Sequence, residues 1–384
     1  MAIEMQEILQ LVEDRSASDL HLKAGQPPIL RVAGKLIRSP LSALTNEDVQ
    51  RLVFSLLTID QRLQLENTFE LDASFGIDGV GRFRINVFKE RGNYAAAIRV
   101  VPFTIPSLDE LGLPAICKEI TQKPRGLVLI TGPTGSGKST TLASMIDWIN
   151  ENRQEHILTI EDPIEFLHSS KKSVVSQREL GADTKSFGNA LRSALREDPD
   201  VILVGEMRDL ETIHLALTAA ETGHLVFGTV HTSSAPQTID RIIDAFPPGQ
   251  QQQTRIMLSN ALVAVVSQTL LARTDEAGGG SPVTKGRILA AEILINTSAV
   301  SNLIRESKTA QIYSSIQMGG NVGMQTLESA LAALVKQGII SPKDALAKTS
   351  RPEDLEQLLS SAARGTAKGG MPIKQDQGFG YGRF

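Results

Sequence analysis

The chain has almost no cysteine: Cys117 is the single one among 384 residues. One thiol cannot build a disulfide framework or a multi-cysteine zinc site. No apolar stretch approaches the length of a bilayer span, and the N-terminus lacks the charged-then-apolar pattern of a signal peptide. Membrane insertion and export are therefore not expected, and the default compartment is the cytoplasm. Neither sign of charge dominates, since 39 Lys and Arg against 43 Asp and Glu leave a net −4. Such a balance gives no general pull toward nucleic acid or anionic lipid. Internal repeats are absent as well. What the chain has is length, enough for about two or three domains with cores of their own.

Residues 1–101 read as a small α+β unit. Apolar residues from Met5 to Val12 recur at helical spacing, and 17–22 alternates like a strand. The runs 29–33 and 35–37 flank Gly34 as a hairpin, and Asn46 to Leu65 has the pattern of one helix, with Thr45 as N-cap and Asp48 three residues on. Alternation over 82–88 and 94–101 around Gly92 and Asn93 predicts a second hairpin. Residues 102–115, with three prolines, read as an interdomain linker. From 116 to 363 strands alternate with helices, the pattern of an α/β parallel sheet with crossover helices. Strands are expected at 126–131, 156–161, 173–177, 201–205, 224–230 and 287–295, and a long helical region at 250–272. A Gly-rich loop at 274–286 is expected to be mobile, and the tail 364–384 to be disordered.

The chemistry begins at Gly132, Pro133, Thr134, Gly135, Ser136, Gly137, Lys138 and Ser139, which fit G-x-x-x-x-G-K-[ST] at every fixed position. A buried-strand run precedes them, and Thr140 opens a stretch with helical pattern. Glycines let successive N–H groups curl into one concavity, and the helix N-terminus adds its positive end. Lys138 can reach the β- and γ-phosphates, and Ser139 offers a hydroxyl to Mg²⁺. The bland alternative, an ordinary Gly-rich loop, does not explain the strand and helix on either side. A nucleoside triphosphate such as ATP is the expected ligand.

Three further clusters fall where such a loop needs them. The apolar run 201–204 ends at Glu206, a carboxylate placed to hold Mg²⁺ or its water, against the alternative of a buried strand and a solvated turn. Glu161, Asp162 and Glu165 follow the predicted strand 156–161, at the rim where open α/β sheets bind ligands. Glu165 is the choice for orienting the attacking water, although such acidic runs are usually solvated turns. His224 and His231 stand at opposite ends of one strand, over ~20 Å apart, too far to share a metal. His231 is placed to sense a γ-phosphate, and His224 reads as structural or as a subunit contact. In the N-terminal unit Arg84 and Arg99 are each flanked by apolar residues. They read either as a solvated face or as arginine fingers lent to a neighbour's nucleotide.

These boxes occur in one order, together with Leu191 to Asp209 and the start Ala17 to Pro28, and as a set they closely resemble the secretion-type hexameric ATPases of type II secretion and type IV pili. The similarity is greatest to the pilus-retraction (PilT) branch and covers about residues 3–345. It implies a PAS-like N-terminal domain, a RecA-like ATPase domain, a homohexameric ring, and ATP with Mg²⁺ held between the two domains. By the same resemblance Lys138 and Ser139 contact phosphates and Mg²⁺, Glu165 is the catalytic carboxylate, Glu206 serves the Mg²⁺ side, and His231 is the His-box residue. Arg84 and Arg99 match the branch's paired arginine fingers. The implied partners are an inner-membrane pilus platform protein, met at the inner face of the cytoplasmic membrane, and a paralogous pilus ATPase as a further candidate. Extension and secretion relatives commonly carry a longer N-terminal region and a four-cysteine zinc element, and neither is found here. One departure stands out: in Ala299 to Glu306, Ser301 replaces an arginine of the branch's pattern. The alternatives are a secretion or DNA-translocating RecA-like ATPase, which the acidity of the chain opposes, and a nonhydrolysing regulatory subunit.

Overall fold

The computed structural model describes residues 3–32, 34–77, 81–101, 104–274 and 286–365. It divides into two compact units, 1–105 with 161–169, and 106–160 with 170–384. Residues 102–103 of the expected linker, most of the Gly-rich loop and the tail beyond 365 lie outside the described residues.

In the first unit, strands β1 (Asp19–Lys23), β2 (Ile29–Val32), β3 (Lys35–Arg38), β4 (Glu70–Ile77), β5 (Gly81–Glu90) and β6 (Asn93–Val101) form one sheet in the order β3-β2-β1-β6-β5-β4. Period-two alternation gives the sheet two chemically different faces. Leu20, Leu30, Phe83, Ile85, Val87 and Ile98 are buried, and they pack with helices α1 (Met5–Asp14), α2 (Asn46–Phe54) and α3 (Ile59–Thr68). The opposite face carries Arg84 directly across from Arg99.

Two expectations for this unit need correction. The predicted helix 46–65 is two helices, because Thr58 opens α3 with a capping box of its own, taking Gln61 N–H on its hydroxyl while Gln61 Oε1 accepts the Thr58 N–H at 3.0 Å. That second cap restarts the backbone ladder and competes with continuation of α2. The hairpin turn is Arg91–Gly92 rather than Gly92–Asn93: both residues have positive φ, 52° and 82°, and Asn93 already pairs with Glu90. This is the left-handed pair that a two-residue hairpin requires.

The second unit is a sheet sandwiched between helices. Its strands are β7 (Gly126–Thr131), β8 (His156–Glu161), β9 (Val174–Glu179), β10 (Val201–Val204), β11 (Leu225–Val230), β12 (Leu262–Ala272) and β13 (Arg287–Ile295), in the order β13-β12-β7-β11-β10-β8-β9. Every residue of β7, β10 and β11 is buried, as expected of strands covered on both faces. Helices α4 (Ile116–Thr121) and α5 (Lys138–Asn152) share one core with Val128, Ile130 and Phe227. Helices α6 (Phe187–Ala194), α7 (Leu210–Glu221), α8 (Ala235–Asp244) and α9 (Pro248–Ala261) share another with Leu127, Leu129 and Val226. Helices α10 (Ser298–Arg305), α11 (Ile312–Met318), α12 (Leu327–Lys336), α13 (Pro342–Leu346) and α14 (Pro352–Gly365) complete the unit. Among the described residues no helix is long and apolar enough to cross a membrane.

Here the expected helical region 250–272 is half strand. α9 ends at Ala261 and β12 follows at once, parallel to β7 and antiparallel to β13. The run holds Val263, Val265, Val266 and Thr269, whose branched side chains favour a sheet interior over a helix.

Candidate nucleotide site

Strands β7, β8, β10 and β11 run parallel, so their C-terminal ends open at one rim. The β7–β11 register pairs Thr131 with Val230, and the β10–β11 register pairs Val204 with Gly228. Gly132, Gly205 and His231 therefore leave the sheet at the same edge, the edge at which open α/β sheets take ligands.

The loop between β7 and α5 is held in a shape that only glycine permits at its first position. Gly132 has φ of 142°, and a Cβ there would lie 2.3 Å from the Gln268 carbonyl oxygen and 2.5 Å from Ser136 Oγ. Gly135 and Gly137 are also left-handed, with φ of 78° and 90°. Pro133, Thr134 and Gly135 are exposed, while Ser136 is buried and its hydroxyl has no hydrogen-bond partner among the described residues. Lys138, Ser139 and Thr140 form the first turn of α5 and are half-buried. An orphaned buried hydroxyl, a loop curled by three left-handed glycines and a helix N-terminus suit a phosphate chain.

Lys138, His231 and Glu206 form one line of contacts. Lys138 Nζ donates to the carbonyls of Gly132 at 2.9 Å and Pro133 at 3.1 Å, and lies 3.5 Å from His231 Nδ1. His231 Nε2 is 3.1 Å from Glu206 Oε1, and Arg208 also pairs with that carboxylate. A neutral imidazole with its proton on Nε2 satisfies both neighbours, donating to the carboxylate and accepting from the ammonium. The Glu206 turn is anchored to β11, since Thr229 donates its hydroxyl proton to Gly205 and its carbonyl accepts the Met207 N–H at 3.0 Å.

Glu165 and Arg84 meet in the first unit. Arg84 Nη2 stands 3.4 Å from Glu165 Oε1 and 3.3 Å from the Pro163 carbonyl. Arg99, opposite Arg84 on the sheet, gives its Nε–H to Asp19 at 2.8 Å, and Arg31 approaches the same carboxylate at 3.6 Å. With these cations beside it, Asp19 titrates below the usual carboxylate range in spite of the opposing desolvation, which is the largest single influence.

Residues 4–357 match the family model described as Type II/IV secretion system protein. The chain belongs to that family. It is 52% identical over 352 residues to the Type IV pilus retractation ATPase PilT of Pseudomonas aeruginosa, covering 92% of this chain and 100% of that protein. It is 53% identical over 328 residues to the twitching motility protein of Neisseria gonorrhoeae, covering 85% and 86% of the two chains. A solved structure, the pilus retraction motor PilT with bound ADP, resembles it with a TM-score of 0.85 at 51% identity, covering 92% of this chain and 99% of that one. The second unit is accordingly the RecA-like ATPase domain of a Type II/IV secretion system protein.

Within this Type II/IV secretion system protein one supporting side chain escaped sequence reasoning. Gln268 is buried on β12 and donates from Nε2 to the Ser136 carbonyl at 2.8 Å, bracing the loop from behind. Beside it the Thr131 and Ser267 hydroxyls meet at 2.7 Å. A region assigned to a helix offers no reason to place Gln268 at the loop, so the misread β12 hid it. His224 has a local task, its Nδ1 lying 2.9 Å from the Ala219 carbonyl at the end of α7. Ser301, the departure within 299–306, is half-buried and donates to the Ser259 carbonyl, tying α10 to α9.

Proposed function

We propose that the protein is an ATP-hydrolysing hexameric motor that drives type IV pilus retraction, the disassembly step of twitching motility. The observation that carries this reading is the Lys138–His231–Glu206 line at the mouth of the phosphate loop. Support also comes from the relatives named as a pilus retraction ATPase and a twitching motility protein and from the resemblance to an ADP-bound retraction motor.

In this reading Gly132 to Thr140 bind the phosphates through backbone N–H groups, and Lys138 leaves its carbonyl partners for the β- and γ-oxygens. Among the described residues no group of three or more His, Cys, Asp and Glu could hold a metal ion. A Mg²⁺ accompanying the nucleotide would be held by the Ser139 hydroxyl and by Glu206, the latter partly through water. That ion would offset charge on the phosphates. His231 orients Glu206, and Glu165 orients the attacking water. Arg84 and Arg99 offset the charge that develops on the transferring phosphoryl group. The working assembly is a homohexamer, peripheral to the cytoplasmic face of the inner membrane, with a pilus platform protein as its partner. The boundaries 1–101, 102–115 and 116–363 describe a PAS-like domain, a linker and the motor domain.

Two measurements test the proposal. Glu206→Ala should lower ATP turnover by about 100-fold or more, and equal turnover in both proteins overturns the motor. Deletion of the gene should leave cells hyperpiliated and unable to twitch, whereas bald cells assign the chain to assembly.

A further inference from the structure

One ionisable side chain behind the nucleotide site has no part in the roles above. Glu292 sits on β13 and is buried, 4% exposed, between Ala291 and Ile293, which are buried too. The register Thr131–Ser267–Glu292 runs straight across β7, β12 and β13, so Glu292 lies in the cross-strand row that immediately precedes Gly132. Its Oε1 accepts the N–H of Ala235, the first residue of α8, at 2.6 Å.

Ala235 is four positions beyond His231, and the turn between them is tied down. Thr232 and Thr238 share a hydrogen bond of 2.7 Å between their hydroxyls, and Ser234 caps α8 by accepting the Gln237 N–H. Holding the Ala235 N–H thus fixes the far end of a short segment whose near end is the His231 imidazole. A carboxyl at a helix N-terminus also meets the positive end of its dipole.

Glu292 is costly to keep where it is. Burial above all, and with it the neighbouring Glu328 carboxylate, outweighs the Ala235 N–H and Arg351, which work in the other direction, and leaves the carboxyl raised to about 7. Glu328 is itself buried on α12 and accepts from Tyr313 Oη at 3.0 Å and Thr349 Oγ1 at 2.6 Å. Asp354 shares the Tyr313 hydroxyl at 3.1 Å, and the Arg351 guanidinium lies over the Tyr313 ring. An apolar side chain would satisfy the packing without that penalty.

We propose that Glu292 is a positioning residue for His231: by holding the N-terminus of α8 it fixes the 231–235 turn, and so the imidazole between Lys138 and Glu206. The inference rests on the ATPase reading of that site. Its test compares kcat and KM for ATP in the full-length protein carrying Glu292→Met, which fills the volume without an acceptor, and Glu292→Gln, which keeps one. Each is made alone and on a His231→Ala background, with thermal melts to verify folding.

Glu292→Met should lower kcat about 10-fold, the scale of a displaced catalytic group, with KM changed no more than about 2-fold. Glu292→Gln should recover kcat to within about 3-fold of the parent, since its carboxamide oxygen still accepts from Ala235. On the His231→Ala background Glu292→Met should change kcat by less than about 2-fold, because the coupled residue is already gone. Parental kcat in Glu292→Met overturns the proposal, as does a Glu292→Gln protein no better than Glu292→Met. The same loss on both backgrounds overturns it too, since it shows a role independent of His231. A parent protein that does not turn over ATP, or a His231→Ala protein equal to it, sinks the underlying site reading instead.

Discussion

Glu292 carries its proton differently in the folded and unfolded chain, and that difference has a sign. In the fold its carboxyl titrates at about 7, against 4.5 for the ordinary group. Between these values the folded chain binds more protons than the unfolded one, so stability falls as pH rises through the window. The contribution is fully present below about 4.5 and lost above about 7, and it amounts to about 3 kcal/mol for a group this deeply buried. Glu292→Gln removes the titration while keeping the shape. The variant should therefore be more stable than the parent at pH 8 and lose that advantage as pH falls toward 4.5, read as urea midpoints at the two ends. A constant difference across the range would show that Glu292 does not titrate there.

At the scale of elements the phosphate loop sets two glycines against each other. Gly132→Ala would push a Cβ to 2.3 Å from the Gln268 carbonyl, on backbone that cannot retreat without disturbing β12. Gly135→Ala meets nothing within 4 Å and suffers only its φ of 78°. The first should cost about 3 kcal/mol or more and abolish binding of a fluorescent ADP analogue, the second about 1 kcal/mol with binding retained. Equal losses would mean that the loop's curl, rather than its contact with β12, decides the outcome. The same neighbourhood shows what was legible in the chain. Loop, flanking strand and helix carry a spacing of their own and could be read directly, as could the apolar strands β7, β10 and β11. β12 could not, because an apolar run that joins a helix has no period to separate it from more helix. The break between α2 and α3 was hidden for another reason: no glycine or proline interrupts the run, and only the Thr58–Gln61 cap marks the restart. Gln268 and Glu292 went unseen because their meaning is the strand row they occupy.

The molecule as a whole has its candidate site residues divided between two units, each with its own core. Lys138, Glu206 and His231 belong to one, Arg84 and Arg99 to the other. Each arginine already has a carboxylate, Glu165 for Arg84 and Asp19 for Arg99. Both pairs are partly exposed, where an ion pair is worth at most about 1 kcal/mol, so a triphosphate with several charges can outbid them through bidentate contacts. If a ring lends its arginines from one copy to the next, two defective proteins should repair each other. Lys138→Ala keeps its arginines and loses its phosphate contact, while the Arg84→Ala, Arg99→Ala double variant does the reverse. Mixed and allowed to exchange subunits, they form interfaces in which an intact loop faces intact arginines. ATP turnover of the mixture should exceed that of either variant alone by about 10-fold or more, given the large effect of a supplied arginine on phosphoryl transfer. A mixture no faster than the average of its parts would confine the arginines to their own copy and remove the case for a ring that shares them.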